Sequence, residues 1–160
     1  MAFQVVGSLL AGAVDVAPPK DVQSFTLETA DTAVQPGQVM KLEDVTNYRF
    51  TPVGVSDKEA LIVSIEGVEA PTGGARATFR GKWIVPGMLF KAPILNGAHG
   101  DAKPGQTVRF HTDGTGVDVA QEHATDEPVV VLRSIDGGDD REDSVICTLQ
   151  CLLGGVSDGA

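Results

Sequence analysis

Apolar and polar residues alternate with a period of two along most of this chain, and the 3.6-residue period of a helix appears nowhere at normal helix length. The alternation is clearest near the C-terminal end. Over Ser144 to Leu153, Val145, Cys147, Leu149, Cys151 and Leu153 share one face, while Ile146, Thr148, Gln150 and Leu152 share the other. Before it comes Pro128 to Ile135 with the β-branched run Val129-Val130-Val131, and the polar loop Asp136 to Asp143 joins the two. This is the pattern of a C-terminal hairpin or meander. Upstream, Pro104-Gly105 opens a strand over Thr107 to His111 that carries Val108 and Phe110, and Val117 and Val119 then alternate with Asp118.

The first half reads the same way. Val22 to Thr29 predicts a strand with Phe25 and Leu27 facing inward. Val39 to Val45 places Met40 and Leu42 on one face, and Asn47 to Val53 predicts a short strand with Tyr48 and Phe50 on one side. Ala60 to Val68 has the strongest strand pattern of this half. Ala75 to Val85 alternates again, with Ala77, Phe79, Gly81, Trp83 and Val85 in one series. Met88 to Leu95 predicts a short strand broken by Pro93, because proline cannot donate to a ladder. Only Val55 to Leu61 and Val117 to Thr125 could hold a turn of helix. Turn signals recur every 8–15 residues or so, the spacing of an all-β sandwich or barrel. One echo links the halves: Gln35-Pro36-Gly37-Gln38-Val39 and Lys103-Pro104-Gly105-Gln106-Thr107 both place Pro-Gly-Gln before a strand. Two related β-halves would produce it, but turn-forming Pro-Gly is the plainer reading.

Composition narrows this picture. The 160 residues suit one compact domain, expected over residues 21–160, with an arm over residues 1–20. Aromatic content is only 5%, so the core must rest on Val, Leu, Ile and Ala. The net charge of −10 disfavours a nucleic-acid partner, which needs a cationic surface to displace counterions. The apolar run Val5 to Val14 has no Lys or Arg before it and is too short to cross a bilayer. It is expected to be an ordered arm that docks on its own domain or on a neighbouring subunit, and no membrane partner is expected. Cys147 and Cys151 lie four apart on one strand, about 13 Å between Cα atoms, too far for a disulfide within that strand. They read as buried thiols, which fits a reducing compartment.

Candidate chemistry is thin. His111, Asp113, Asp118, Glu122 and His123 can all ligate a metal, yet their spacing matches no known ligand module, and solvated loop residues are the better account. The loop Asp136 to Asp143 is rich in carboxylates but lacks EF-hand spacing, so it reads as a charged hairpin loop that discourages edge pairing. No Gly-x-Ser-x-Gly elbow or phosphate loop occurs, and His99 and the other histidines suggest no triad. Lys41 in Val39-Met40-Lys41-Leu42 sits inside a strand, unlike the hairpin-tip lysine of a lipoyl carrier. The expected site is therefore empty in every category: no catalytic residue, no cofactor, no metal.

The stretch Trp83 to Leu153 carries a likeness to a family. It holds Ile84-Val85-Pro86-Gly87-Met88-Leu89-Phe90, then Pro104-Gly105-Gln106-Thr107-Val108, the polar tract Gly116 to Glu122 before Val129-Val130-Val131-Leu132, and a closing strand Val145-Ile146-Cys147-Thr148-Leu149. With the acidity, size, low aromatic count and apolar arm, this resembles the small capsid decoration (cement) proteins of tailed bacteriophages. The resemblance implies a β-barrel or β-tulip-like protein, made in the host cytoplasm. It would sit on the virion exterior as a homotrimer over junctions between major capsid protein subunits. That family is not defined by a catalytic motif, so no site residue is carried over. The rivals are a carbohydrate- or ligand-binding β-sandwich, which would need exposed aromatics, and a small β-barrel enzyme built on His111, Asp113 and His123.

Overall fold

The computed structural model describes residues 2–8, 22–120, 124–135 and 143–151. They form eleven strands: β1 (Gln4–Ser8), β2 (Gln23–Ala30), β3 (Val39–Asp44), β4 (Arg49–Pro52), β5 (Ile62–Ser64), β6 (Arg76–Trp83), β7 (Met88–Asn96), β8 (Thr107–Phe110), β9 (Val117–Asp118), β10 (Val129–Ile135) and β11 (Ser144–Leu149). The only helix-like element among the described residues is a 3₁₀ turn, His99–Asp101, and no helix is long and apolar enough to cross a membrane. The fold is all-β, as the period-two pattern predicts.

The strands make two closed barrels. In the first the order is β2-β4-β3-β5-β6, with β6 returning to β2. β2 and β4 run parallel, and every other pair in the ring is antiparallel. In the second the order is β7-β11-β10-β8-β9, and β9 closes the ring by pairing in parallel with the end of β7. Its other pairs are all antiparallel. Strand for strand, β7 to β11 repeat the connections of β2 to β6.

The Pro-Gly-Gln echo marks equivalent points in this repeat, 68 residues apart, and turn chemistry alone does not account for it. In the first turn Gln38 N–H donates to Gln35 C=O at 3.3 Å, and the Gln38 side-chain Oε1 accepts from Gln35 N–H at 3.1 Å. In the second, Gln106 N–H donates to Lys103 C=O at 3.0 Å and Oε1 accepts from Lys103 N–H at 2.7 Å. Each turn is then laced to the neighbouring strand of its barrel. Gly37 donates to Ser64 C=O and Ser64 donates to Gln38 C=O; Gly105 donates to Val131 C=O and Val131 donates to Gln106 C=O.

Alternation decides which side chains fill each barrel. Phe25 and Leu27 on β2, Met40 on β3, Phe50 on β4 and Ala77 and Phe79 on β6 point into the first barrel with Leu61 and Ile62. Four aromatic rings meet there: Phe25 lies edge-on to Phe50 at 5.1 Å and to Trp83 at 5.4 Å, and 6.0 Å from Phe79. The second barrel holds the rings of Phe90 and Phe110 with a larger share of aliphatic side chains and a thiol, among them Val108, Val117, Val129, Val131, Val145 and Cys147. The outward-facing Val39, Val53, Val63 and Ile84 of the first barrel join that second cluster, so one apolar layer runs between the barrels.

Three local expectations differ from the structure. Ala60 to Val68 yields only the three-residue β5, because Ala60 to Ser64 are buried on both faces between the barrels and the chain leaves the ladder after Ser64. β7 runs unbroken through Pro93, whose carbonyl faces Gly116. The edge without an N–H therefore lies where β7 changes partner from β1 to β9, and no ladder bond is lost. Tyr48 is not on the inward face with Phe50; it stands in the β3–β4 turn, 73% exposed, at φ +52°.

Part of the expected arm is strand. β1 pairs antiparallel with β7, with a bulge at Val6. Phe3 beside it is buried edge-on against Phe90 and Phe110 at about 6 Å, and its N–H donates to Gly37 C=O at 2.9 Å. The rest of the arm, at residues 9–20, lies outside the described residues.

Candidate functional site

Asp118, one of the five candidate ligands, is the most heavily bonded acid in the described residues. The register places it on β9 opposite Arg109 on β8 and beside Asn96 at the end of β7. Arg109 donates through Nε at 2.9 Å and Nη2 at 2.7 Å to Oδ2, while Asn96 Nδ2 at 3.2 Å and Ala120 N–H at 3.0 Å donate to Oδ1. Its side chain is 4% exposed. Burial alone would raise the carboxyl pKa, but these donors together hold it below the ordinary 3.8. An acid so occupied has no lone pairs left for a metal. It fastens the parallel seam that closes the second barrel.

His111 and Asp113 follow on the β8–β9 turn. His111 Nδ1 lies 3.7 Å from Asp113 Oδ1 and makes no hydrogen bond. Asp113 Oδ1 accepts instead from the Thr115 hydroxyl and, at 3.3 Å, from Thr115 N–H. Glu122 and His123 lie outside the described residues, as do residues 136–142 of the acidic loop. Among the described residues no three His, Cys, Asp or Glu side chains gather closely enough to hold a metal ion.

The remaining candidates are tied into the fold. Lys41 Nζ donates to Asp57 at 2.7 Å with Glu43 at 3.8 Å, and the Asp57 bond raises its pKa above 10.5. Cys147 and Cys151 are buried and not joined in a disulfide, and burial pushes the Cys147 thiol up to about 12, far from a reactive thiolate. All six phenylalanines are buried. Trp83 is half-buried on Phe25 and Phe50, and Tyr48 is the one aromatic side chain that stands out into solvent.

The sequence pattern did not single out the contact between the barrels. The β8–β9 turn lies on the first Pro-Gly-Gln turn. Gln38 Nε2 donates to Asp113 C=O at 2.8 Å, and Val39 N–H donates to Gly114 C=O at 2.9 Å. Gly114 has φ +69°, and a Cβ there would sit 2.3 Å from Val39 O, so only glycine permits this approach. The signal was present in Asp113-Gly114, which the sequence shows simply as a turn.

The exposed apolar side chains form the complementary set. Val45, 68% exposed, and Tyr48 crown the β3–β4 turn, while Val6, Val55 and Leu95 are scattered elsewhere. The crown is held rigid by Asp44, whose carboxylate accepts from Thr46 N–H at 2.9 Å, Asn47 N–H at 3.0 Å and Asn47 Nδ2 at 2.7 Å. Those bonds, led by the Asn47 side chain, also lower the Asp44 pKa.

No family model matches the chain, and no curated protein or solved structure shows significant similarity to it.

Proposed function

We propose that this chain is a structural protein that decorates and stabilises a tailed-phage capsid, bound on the capsid exterior as a homo-oligomer across junctions between major capsid protein subunits. One observation carries the structural part: among the described residues, most of the side chains that could do chemistry or bind a sugar are tied into the fold. Asp118, Lys41 and the thiols are bonded or buried, and the phenylalanines fill the interior. What remains available is shape: closed barrels, the strand β1 on an outer edge, and a rigid turn bearing Val45 and Tyr48. Binding spread over such surfaces needs no pocket. The phage context rests on the resemblance of Trp83 to Leu153. The test is to add the purified protein to capsids stripped of decoration and image them. Regular occupancy at subunit junctions, with a raised capsid melting temperature, is the expected result. Capsids left bare at saturating protein would remove the proposal.

A further inference from the structure

The two barrels repeat each other, yet only one copy of each docking surface is used within the chain. The used pair is the first Pro-Gly-Gln turn and the β8–β9 turn laid on it: Gln38 and Val39 are buried there, Gly37 is covered by Phe3, and Gly114, Thr115 and Gly116 are buried in turn. The equivalent positions of the unused pair are open. In the second Pro-Gly-Gln turn Gly105 is exposed, and Gln106 and Thr107 are only half-buried, while Lys103 and Pro104 are exposed just as Gln35 and Pro36 are. In the β3–β4 turn Val45, Thr46, Asn47 and Tyr48 are all exposed. The same bonds brace both Pro-Gly-Gln turns, but Gln106 Nε2 has no described counterpart to the Gln38–Asp113 bond.

We propose that the β3–β4 turn of one molecule docks on the Lys103–Thr107 turn of the next, so that the contact between barrels within the chain is continued between copies. This deepens the assembly reading by naming a second copy of the chain as a partner, and it holds whichever larger structure the oligomer serves. The intermolecular contact cannot reproduce the internal one atom for atom. Where Gly114 lets two backbones touch, the β3–β4 turn carries Thr46, and its positive φ falls at Tyr48 instead. The approach is wider there, and the Val45 and Tyr48 side chains fill the gap. A non-glycine residue held at positive φ is a costly conformation, and with the Asp44 bonds to Thr46 and Asn47 it sets the backbone of the turn before binding, so less ordering entropy is lost on association. A tyrosine of this kind suits the anchor of an interface. Because two different surfaces meet, the contact is heterologous, and repeating it gives a closed ring or an open chain.

Pairwise cross-linking of the intact protein tests this. Val45→Cys and Lys103→Cys are both on the surface, and the native thiols are buried. The expected result is disulfide-linked dimers when the two variants are mixed and few when either is alone. In sedimentation, Tyr48→Asp should weaken self-association on the order of tenfold or more while its circular dichroism stays native. Dimers of Val45→Cys alone at the level of the mixture would show a tip-to-tip contact and overturn the proposal. So would a wild-type protein that remains monomeric at high concentration, or a Tyr48→Asp protein that sediments like wild type. None of these readings uses a capsid, so failure here is separable from failure to decorate one.

Discussion

The two barrels share a topology and differ in what closes them. The first is sealed by rings: Phe50 on β4 lies in register with Leu27 on β2 at the parallel seam, and Phe25, Phe79 and Trp83 close around it. At the corresponding point of the second barrel stands Val117, and Asp118 beside it joins β7, β8 and β9 through Arg109 and Asn96. A dispersion-packed seam and a charge-bonded seam thus serve one geometry. The first has no directional requirement and tolerates acid; the second fixes the strand ends but depends on an ionised carboxylate.

The largest effect should come from unequal costs at equivalent positions. Phe79 and Val145 occupy corresponding inward sites, both fully buried, on β6 and β11. Phe79→Ala removes a whole ring and should cost about 3–5 kcal/mol, whereas Val145→Ala should cost only about 2 kcal/mol. Chemical denaturation of the two variants measures the difference. Equal losses would mean that the barrels are not packed in these two ways.

A smaller effect is expected at the charged seam. Asp118→Asn should cost about 2–3 kcal/mol, the scale of hydrogen bonds to a charged group, since Arg109 keeps access to water and is not stranded in a dry interior. The folded pKa of Asp118 lies below its unfolded value of 3.8, so its contribution is fully present above that value and is lost as pH falls through the lower folded one. Wild type should therefore lose stability below pH 3.8 more steeply than Asp118→Asn does, read from urea midpoints at successive pH values. Parallel curves would contradict the role given to this carboxylate.

Much of the fold was legible from local pattern. Where one face is buried and the other solvated, as along β6 and β11, the period of two located the strand and its inward residues. It failed where a third influence acted. Ala60 to Val68 looked like a long strand because it is apolar on both faces, but that apolarity serves the layer between barrels and not a longer ladder. Pro93 looked like a break because a sequence cannot show which edge of a strand is without a partner. Asp118 looked like a solvated loop residue because the strand holding its partner Arg109 is brought beside it only by the β8–β9 turn. The echo at Pro36 and Pro104 was visible but ambiguous, since the side-chain bond that Gln38 and Gln106 each make to their own turn cannot be read from spacing.

The central claim is that equivalent surfaces are covered in one barrel and open in the other until copies meet. Amide hydrogen exchange on the intact protein, at low and at high concentration, addresses it most directly. Val39, bonded to Gly114 C=O within the chain, should be protected at both concentrations, while the amides of Thr46 to Tyr48, two of them bonded only to the Asp44 side chain, should exchange faster than Val39 in the dilute protein and slow as it associates. Unchanged exchange over the β3–β4 turn in an associating sample, or a Val39 amide as unprotected as that turn in the dilute one, would contradict it.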